Sequence, residues 1–286
     1  MTRDRRTGAE TVMGPRAIRF WKRDLPRWGF LALVGAIYAY MFLPILVVVL
    51  TSLNPTPYLR LPPQGLSLRW YAAALTPDWL DPFRVSLVIA VASAALATLL
   101  ALPAAFALVR HRFPGRDVVA ALLLSPLSLP AIVTGVAILQ FLSLAGMRGL
   151  LGFNSLLLGH IVLTVPYAIR TIAISLHGFD RSIEQAAMNL GATPWRTFRH
   201  ITLPIIKPGL FAGMVFAFIV SFNNVPISLF LVRPGMITLP IRILNYLEYR
   251  FDPSLAAVNM LSLAVILVVV TVAERTAGFT RFVYSR

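Results

Sequence analysis

The sequence lacks cysteine and has few charged residues. Without cysteine, a disulfide framework, a thiolate metal site and a thiol redox couple are all excluded. Only 13% of the 286 residues are charged, whereas the fraction is about a quarter in ordinary soluble proteins. Hydrophobic residues make up 58% of the chain. This composition is typical of a chain embedded in a lipid bilayer.

Acidic residues and histidines are also scarce. There are 11 Asp and Glu against 26 Lys and Arg, giving a net charge of +15. In a soluble protein this excess would suggest a nucleic-acid partner, but here the basic residues flank apolar stretches, the pattern that sets membrane topology. The 4 histidines are scattered without the spacing of metal ligands. We therefore expect neither nucleic-acid binding nor a metal site.

Hydropathy predicts an all-α, polytopic membrane protein with six transmembrane helices. Each apolar stretch is long enough, or nearly so, to cross about 30 Å of hydrocarbon at about 1.5 Å per residue. The third stretch contains Ser125, Pro126 and Pro130, which predict a broken helix. The predicted spans are residues 30–53, 82–109, 117–145, 152–176, 205–232 and 255–272.

The basic residues predict the orientation of these spans. Eighteen of them lie on the side of the two termini and seven on the other side, so the positive-inside rule places both termini in the cytoplasm. Residues 1–27 form a basic tail, and the apolar stretch after it is longer than that of a secretory signal, so we expect an uncleaved first span. The remaining residues 28–286 form a single transmembrane domain.

Two segments on the outer side are predicted to form interfacial helices. Residues 68–75 follow a proline-rich stretch, 54–65, and residues 239–250 space their apolar side chains among polar ones. Either segment is suited to contact an extracytoplasmic protein, and either is equally suited to lie on lipid headgroups.

Residues 180–204 form the one polar, helix-forming segment between two apolar spans. Ser182 and Gln185 have the spacing of a capping box, which predicts a helix start. Gly191 sits where a left-handed residue would end that helix. Thr193 and Pro194 predict the start of a second short helix. Because both helices are too short to be stable alone, the segment predicts a surface that docks onto a partner.

The same segment resembles the EAA loop of ABC-importer permeases. Gln185, Gly191 and the Ile201-x-Leu203-Pro204 group have the spacing of that loop. Other stretches, such as RHRFPGR and LPIRILNYLEY, are similar to the PotC-like family of spermidine/putrescine-type, binding-protein-dependent permeases. The resemblance implies a type I ABC importer (MetI-like) permease fold with a cytoplasmic coupling helix. One departure is that Gln185 stands where the family has an acidic residue, with Glu184 one place earlier.

The resemblance also implies partners for the chain. They are a cytoplasmic ABC ATPase dimer that binds ATP and Mg²⁺, a second homologous permease and an extracytoplasmic solute-binding protein, assembled at a bacterial inner membrane. The chain has no Walker A loop, so we expect it to be no enzyme and to bind no cofactor itself. By the resemblance, ATPase coupling is assigned to Glu184, Gln185, Ala186, Ala187, Gly191, Trp195, Arg196, Phe198 and Arg199.

A few polar side chains lie within the predicted spans. Ser221, Asn223 and Asn224 belong to the fifth span, and Gln140 and His160 to the third and fourth. Such groups are costly at membrane depth unless they are paired. They therefore line a substrate pathway, form hydrogen bonds between helices, or reveal a misplaced span boundary. For His160 we favour structural packing over transport.

The alternative to an importer subunit is a self-contained secondary transporter or channel. Ion-coupled carriers commonly have a buried carboxylate within a span and an inverted repeat. This chain has no Asp or Glu at the centre of a predicted span, and we find no inverted repeat in it. Polyamine-type relatives tend to carry acidic residues in span five, where this chain has Asn223 and Asn224. We hypothesise a small polar solute less cationic than spermidine, with a polyamine or a related amine or opine-like compound as the cargo that the resemblance implies.

Overall fold

The computed structural model describes residues 27–58, 62–63, 65–250 and 252–277, and this part of the chain is helical. The predicted basic tail lies outside the described residues except for Arg27, as do residues 59–61 and 64 of the proline-rich stretch. The α-helices are α1 (Arg27–Ser52), α2 (Arg69–Ala74), α3 (Pro77–Arg110), α4 (Arg116–Leu124), α5 (Ala131–Leu144), α6 (Phe153–His177), α7 (Arg181–Asn189), α8 (Pro194–Thr197), α9 (Leu203–Phe222), α10 (Ser228–Leu231), α11 (Leu239–Tyr249) and α12 (Ser254–Ala277).

The predicted all-α membrane fold is confirmed. Within the described residues, five helices are long and apolar enough to cross a membrane, and α4 with α5 makes a sixth span if the bent pair is counted as one. A 3₁₀ turn (Ser125–Leu127) continues α4, and the two halves of the pair are bent by 104° at the break that follows this turn. Pro126 and Pro130 lack the N–H groups that a continuous helix needs, which explains the break.

The fifth span ends earlier than hydropathy predicted. Helix α9 ends at Phe222, not at residue 232. The chain then turns, and the Asn224 Oδ1 accepts a 2.9 Å hydrogen bond from the Ile227 N–H before α10 begins. Hydropathy did not locate this turn, because the apolar residues after Asn223 and Asn224 keep the stretch apolar on average, while the backbone groups of the turn are satisfied locally.

Helices α3, α6 and α9 form the centre of the molecule. They approach closely because small side chains lie between them, as is common in membrane helices. A Cβ atom on Gly209 would overlap the Ser175 side chain, and one on Gly213 would press on Thr171. The small residues that α3 buries in this contact are Ala90, Ala94, Ala97 and Ala101.

The two predicted interfacial segments are helices, and both are attached to the protein. In α2, the Trp70 Nε1 donates a 2.7 Å hydrogen bond to the Asn54 carbonyl after α1. At the start of α11, the Leu239 N–H donates to the Ser86 Oγ at 2.8 Å. Both helices therefore sit on the end of the molecule opposite residues 180–204. Helix α1 packs against α12, and no residue of its most apolar stretch is buried.

Candidate functional site

The first helix of segment 180–204 has its N-cap two residues earlier than predicted. Its N-cap is Asp180, whose Oδ1 accepts a 2.9 Å hydrogen bond from the Ser182 N–H. The predicted capping box between Ser182 and Gln185 is therefore wrong, because the preceding aspartate occupies the cap. The backbone N–H of Ser182, followed by its side chain, lowers the pKa of the exposed Asp180 carboxyl by stabilising the charged form.

The predicted end of α7 at Gly191 is confirmed. Gly191 has φ +90°, a conformation that favours glycine. Its N–H donates to the Met188 carbonyl at 2.9 Å, and the Ala192 N–H donates to the Ala187 carbonyl at 3.0 Å. These bonds satisfy carbonyl groups that the helix end would otherwise leave free.

The second helix starts as predicted but does not stay short. The Thr193 Oγ1 accepts a 3.3 Å hydrogen bond from the Arg196 N–H, and Pro194 follows at the first helical position. Instead of ending, α8 continues through a π-helical segment, Phe198–Thr202, into α9. The Leu203 N–H bonds to the Phe198 carbonyl, five residues back. The prediction of two independent short helices is thus wrong: the second is the head of the fifth span.

Segment 180–204 exposes a patch of large apolar side chains beside arginines. Leu190 is 90% exposed and Trp195 is 67% exposed. In a soluble region these side chains would be unfavourable, so they indicate a contact surface. We call this patch the exposed apolar surface; it consists of Ile183, Met188, Leu190 and Trp195, and the exposed arginines beside it are Arg181, Arg196 and Arg199.

The predicted coupling residues fall into two groups. Three of them are half-buried, namely Glu184, Ala187 and Phe198. The Phe198 ring packs against Phe106 of α3, with centroids 5.5 Å apart, and stacks with Trp195 at 5.6 Å. Glu184 is also turned inward, as described next. The remaining coupling residues are exposed: Gln185, Ala186, Gly191, Trp195, Arg196 and Arg199.

Glu184 makes the contacts that Gln185 does not. Its Oε1 accepts a 2.6 Å hydrogen bond from the Thr202 Oγ1 and lies 3.6 Å from the Arg110 Nη2. Sequence reasoning missed Arg110 and Thr202 as part of this site. Arg110 was counted only as a basic residue after a span, and nothing in its sequence neighbourhood points to a buried carboxylate.

Polar residues at membrane depth form a closed hydrogen-bond cluster. The His160 Nδ1 lies 2.7 Å from the Ser221 Oγ, and its Nε2 lies 3.0 Å from the Ser228 Oγ. The Ser93 Oγ of α3 donates to the Ser221 Oγ at 2.9 Å. All four side chains are buried, so this His160 cluster connects α3, α6, α9 and α10.

Of the other predicted pathway residues, Asn224 is brought together with the His160 cluster through its backbone. Its N–H donates to the Ser221 carbonyl at 3.2 Å, and its carbonyl accepts a 2.9 Å hydrogen bond from the Ser228 Oγ. Asn224 is buried and stabilises the turn after α9 through its own side chain. Asn223 is exposed, and its Nδ2 donates to the Ile219 carbonyl at 3.1 Å. Gln140 is exposed on α5. Roles of these residues in a substrate pathway stay predictions.

A polar cavity of about 550 Å³ lies at the opposite end, between α2, the start of α3 and α11. The Arg242 Nη2 lies 3.8 Å from the Asp78 Oδ2, and the Tyr246 hydroxyl donates to the Asp252 Oδ2 at 2.6 Å. Burial raises the pKa of Asp252, but hydrogen bonds from Ser254 and Tyr246 outweigh it and leave that pKa lowered. Among the described residues, no group of His, Cys, Asp and Glu is placed to bind a metal ion.

Comparisons with known proteins agree with this architecture. The chain is 34% identical over 254 residues to the spermidine/putrescine transport system permease protein PotC of Escherichia coli (strain K12), covering 88% of this chain and 94% of PotC. It is 34% identical over 235 residues to the putrescine transport system permease protein PotI of the same organism, covering 80% and 83% of the two chains.

The fold is shared with a solved transporter. A chain in the crystal structure of a bacterial ABC transporter that imports the acidic polysaccharide alginate superimposes with a TM-score of 0.65 at 17% identity, over 93% of this chain and 99% of that one. Residues 95–275 match the family model described as the inner membrane component of binding-protein-dependent transport systems. The chain therefore belongs to this family of multi-pass inner-membrane permeases, the membrane subunits of ABC importers.

Proposed function

We propose that segment 180–204 is where a cytoplasmic ATPase dimer, which binds ATP and Mg²⁺, drives this permease. The observation that carries the proposal is the exposed apolar surface. It lies beside the exposed Arg181, Arg196 and Arg199, and three of its four residues belong to α7 or directly follow it, the helix whose Glu184 contacts Arg110. A rigid, apolar patch ringed by arginines is suited to a groove in a soluble partner.

The test is binding of the ATPase subunit of the same importer to the full-length permease in detergent. Trp195→Ala and Leu190→Ser are expected to weaken binding at least tenfold, because each removes a large apolar contact. Leu144→Ser is the matched control, since Leu144 is also 90% exposed but lies on α5. Unchanged binding of both loop variants would contradict the proposal.

The same preparation separates the importer from the alternative of a self-contained carrier or channel. The purified permease alone is expected not to hydrolyse ATP, and vesicles containing it alone are expected not to take up putrescine. Uptake by the permease without any ATPase subunit would favour the carrier or channel.

We propose a small polar amine as the cargo, either a polyamine or a related amine or opine-like compound. The similarity to PotC, a spermidine/putrescine permease, and to PotI, a putrescine permease, supports this class. The exposed Asn223 can donate and accept hydrogen bonds but carries no charge. Uptake of spermidine and putrescine into vesicles containing the complete importer tests the cargo. Full-rate uptake of spermidine would contradict a preference for a less cationic solute.

We also propose that both termini are cytoplasmic and that the permease pairs with a second, homologous permease. Helix α1, which buries none of its most apolar residues within this chain, provides apolar surface for such a partner or for lipid. The polar cavity beside α2 and α11 would then face an extracytoplasmic binding protein. A reporter fused after Arg286 should be cytoplasmic, and one inserted within residues 55–64 should be external; the reverse pattern would contradict this orientation.

A further inference from the structure

Arg110, the last residue of α3, has a deeply buried guanidinium group. Its side chain is 6% exposed, and its Nη2 lies 3.6 Å from the Oε1 of Glu184, whose side chain is 16% exposed. The guanidinium carbon lies 5.3 Å from the centre of the Phe179 ring. Among the described residues, neither the Nε nor the Nη2 of Arg110 has a hydrogen-bond acceptor. Compensation of this buried charge therefore depends on Glu184.

The same carboxylate oxygen reaches a second central helix. The Glu184 Oε1 accepts the 2.6 Å hydrogen bond from Thr202, in the π-helical segment at the head of α9. A single atom of α7 thus contacts the cytoplasmic ends of both α3 and α9. These two helices also pack against each other along their length.

No residue of α7 is fully buried. Its apolar side chains face outward, so packing alone does not fix its position against the membrane helices. Separating Arg110 from Glu184 would leave a buried charge without compensation, which is strongly destabilising. The ion pair therefore holds α7 in place. The exposed neighbour Gln185 makes no comparable contact.

We infer that Arg110 and Glu184 are positioning residues that transmit a displacement of α7 to α3 and α9. The inference rests on the proposed function, in which an ATPase moves α7. Because α7 is connected to both helices through one buried carboxylate, the three elements move together when α7 is pushed. Thr202 completes this connection on the α9 side.

The absence of cysteine in the natural sequence makes the test direct. His111→Cys and Asn189→Cys place spin labels beside Arg110 and on α7, and Asn223→Cys reports the far end of α9 to a water-soluble thiol reagent. The label distance and the thiol reaction rate are measured in the complete importer, without nucleotide and with ATP bound.

With the two anchoring residues intact, we expect a narrow label distance that is the same in both states and a thiol rate that changes at least fivefold on ATP binding. In Glu184→Gln and Arg110→Met, the distance should broaden and the ATP-dependent change should fall below twofold, while the ATPase subunit stays bound. Combining the two changes should add nothing, because both break one contact. Arg110→Lys, which keeps the positive charge, should retain more of the ATP-dependent change in thiol reaction rate than Arg110→Met.

Arg112→Met, at an exposed arginine two positions after Arg110 and outside the predicted coupling residues, is the matched control and should leave both readouts unchanged. If Arg110→Met fails to assemble, Thr202→Val tests the connection more gently, with an ATP-dependent change expected to be reduced by about half. A narrow distance and a full ATP response in Glu184→Gln, or an unaltered response in Thr202→Val, would overturn the inference. Failure of the unaltered chain to bind the ATPase would instead overturn the proposed function.

Discussion

The loop at 180–204 and the His160 cluster are both polar regions in an apolar chain, yet they are built in opposite ways. In the His160 cluster the histidine and its partners Ser221 and Ser228 are buried and bond to one another. In segment 180–204, Leu190 and Trp195 are exposed and available to a partner protein. The polar groups of the His160 cluster are therefore satisfied within the protein, whereas apolar exposure outside the membrane helices marks the candidate functional surface.

The largest expected effect comes from breaking the His160 cluster. His160→Ala leaves a cavity and removes one hydrogen-bond partner from each of two buried hydroxyls, so it should lower the free energy of unfolding by about 2–4 kcal/mol. Thermal unfolding in detergent measures this loss. His111→Ala, at an exposed histidine, should change it by less than about 0.5 kcal/mol. Equal effects of the two substitutions would contradict a structural role for the cluster.

A change at the end of α7 should affect the loop without affecting the cluster. Gly191→Val puts a β-branched residue at φ +90°, at a cost of about 1–2 kcal/mol of backbone strain. A Cβ atom there would meet nothing within 4 Å, so the cost is conformational. ATP-driven uptake should fall sharply. Gly178→Val is the control, because Gly178 has φ −75°; normal uptake by Gly191→Val would show that this turn does not transmit the motion.

The adjacent residues Asn223 and Asn224 are expected to have different roles at the end of α9. Asn224→Ala removes the acceptor for the Ile227 N–H and should destabilise the protein by about 1 kcal/mol, like the loss of a helix cap. Asn223→Ala should change the free energy of unfolding by less than about 0.5 kcal/mol. It should lower cargo uptake if Asn223 lines the pathway. Unfolding and uptake assays separate the two roles. Loss of stability in Asn223→Ala with unchanged uptake would remove it from the pathway.

The smallest effect concerns the first turn of α7. The lowered pKa of Asp180 means that its cap stabilises the folded state above the ordinary value of 3.8 and that this contribution disappears as pH falls through the lowered pKa. Asp180→Ala should therefore lower the protection factor of the Ser182 amide against hydrogen exchange at neutral pH, and acid should lower the same protection factor in the unaltered protein. Gln185→Ala should not. A lower protection factor at Ser182 in Gln185→Ala would instead support the predicted capping box between Ser182 and Gln185.

Hydropathy and local capping rules predicted much of the fold and part of the site. The spans, the break at Pro126 and Pro130 and the turn at Gly191 each depend on nearby residues, so they are visible in the sequence. The premature end of α9 was missed because Asn224 satisfies the turn with its own side chain. The capping box was misassigned because Asp180, two residues earlier, takes the cap.

By itself, the sequence determined that the chain is a helical membrane protein, which orientation its charges favour and where its polar loop lies. These features depend on composition and on contacts between residues close in the chain. Only the tertiary structure decided that Glu184 faces Arg110, 74 positions away, and that Ser221 and Ser228 face His160. Such pairs are formed by helix packing, which the linear order of residues does not reveal.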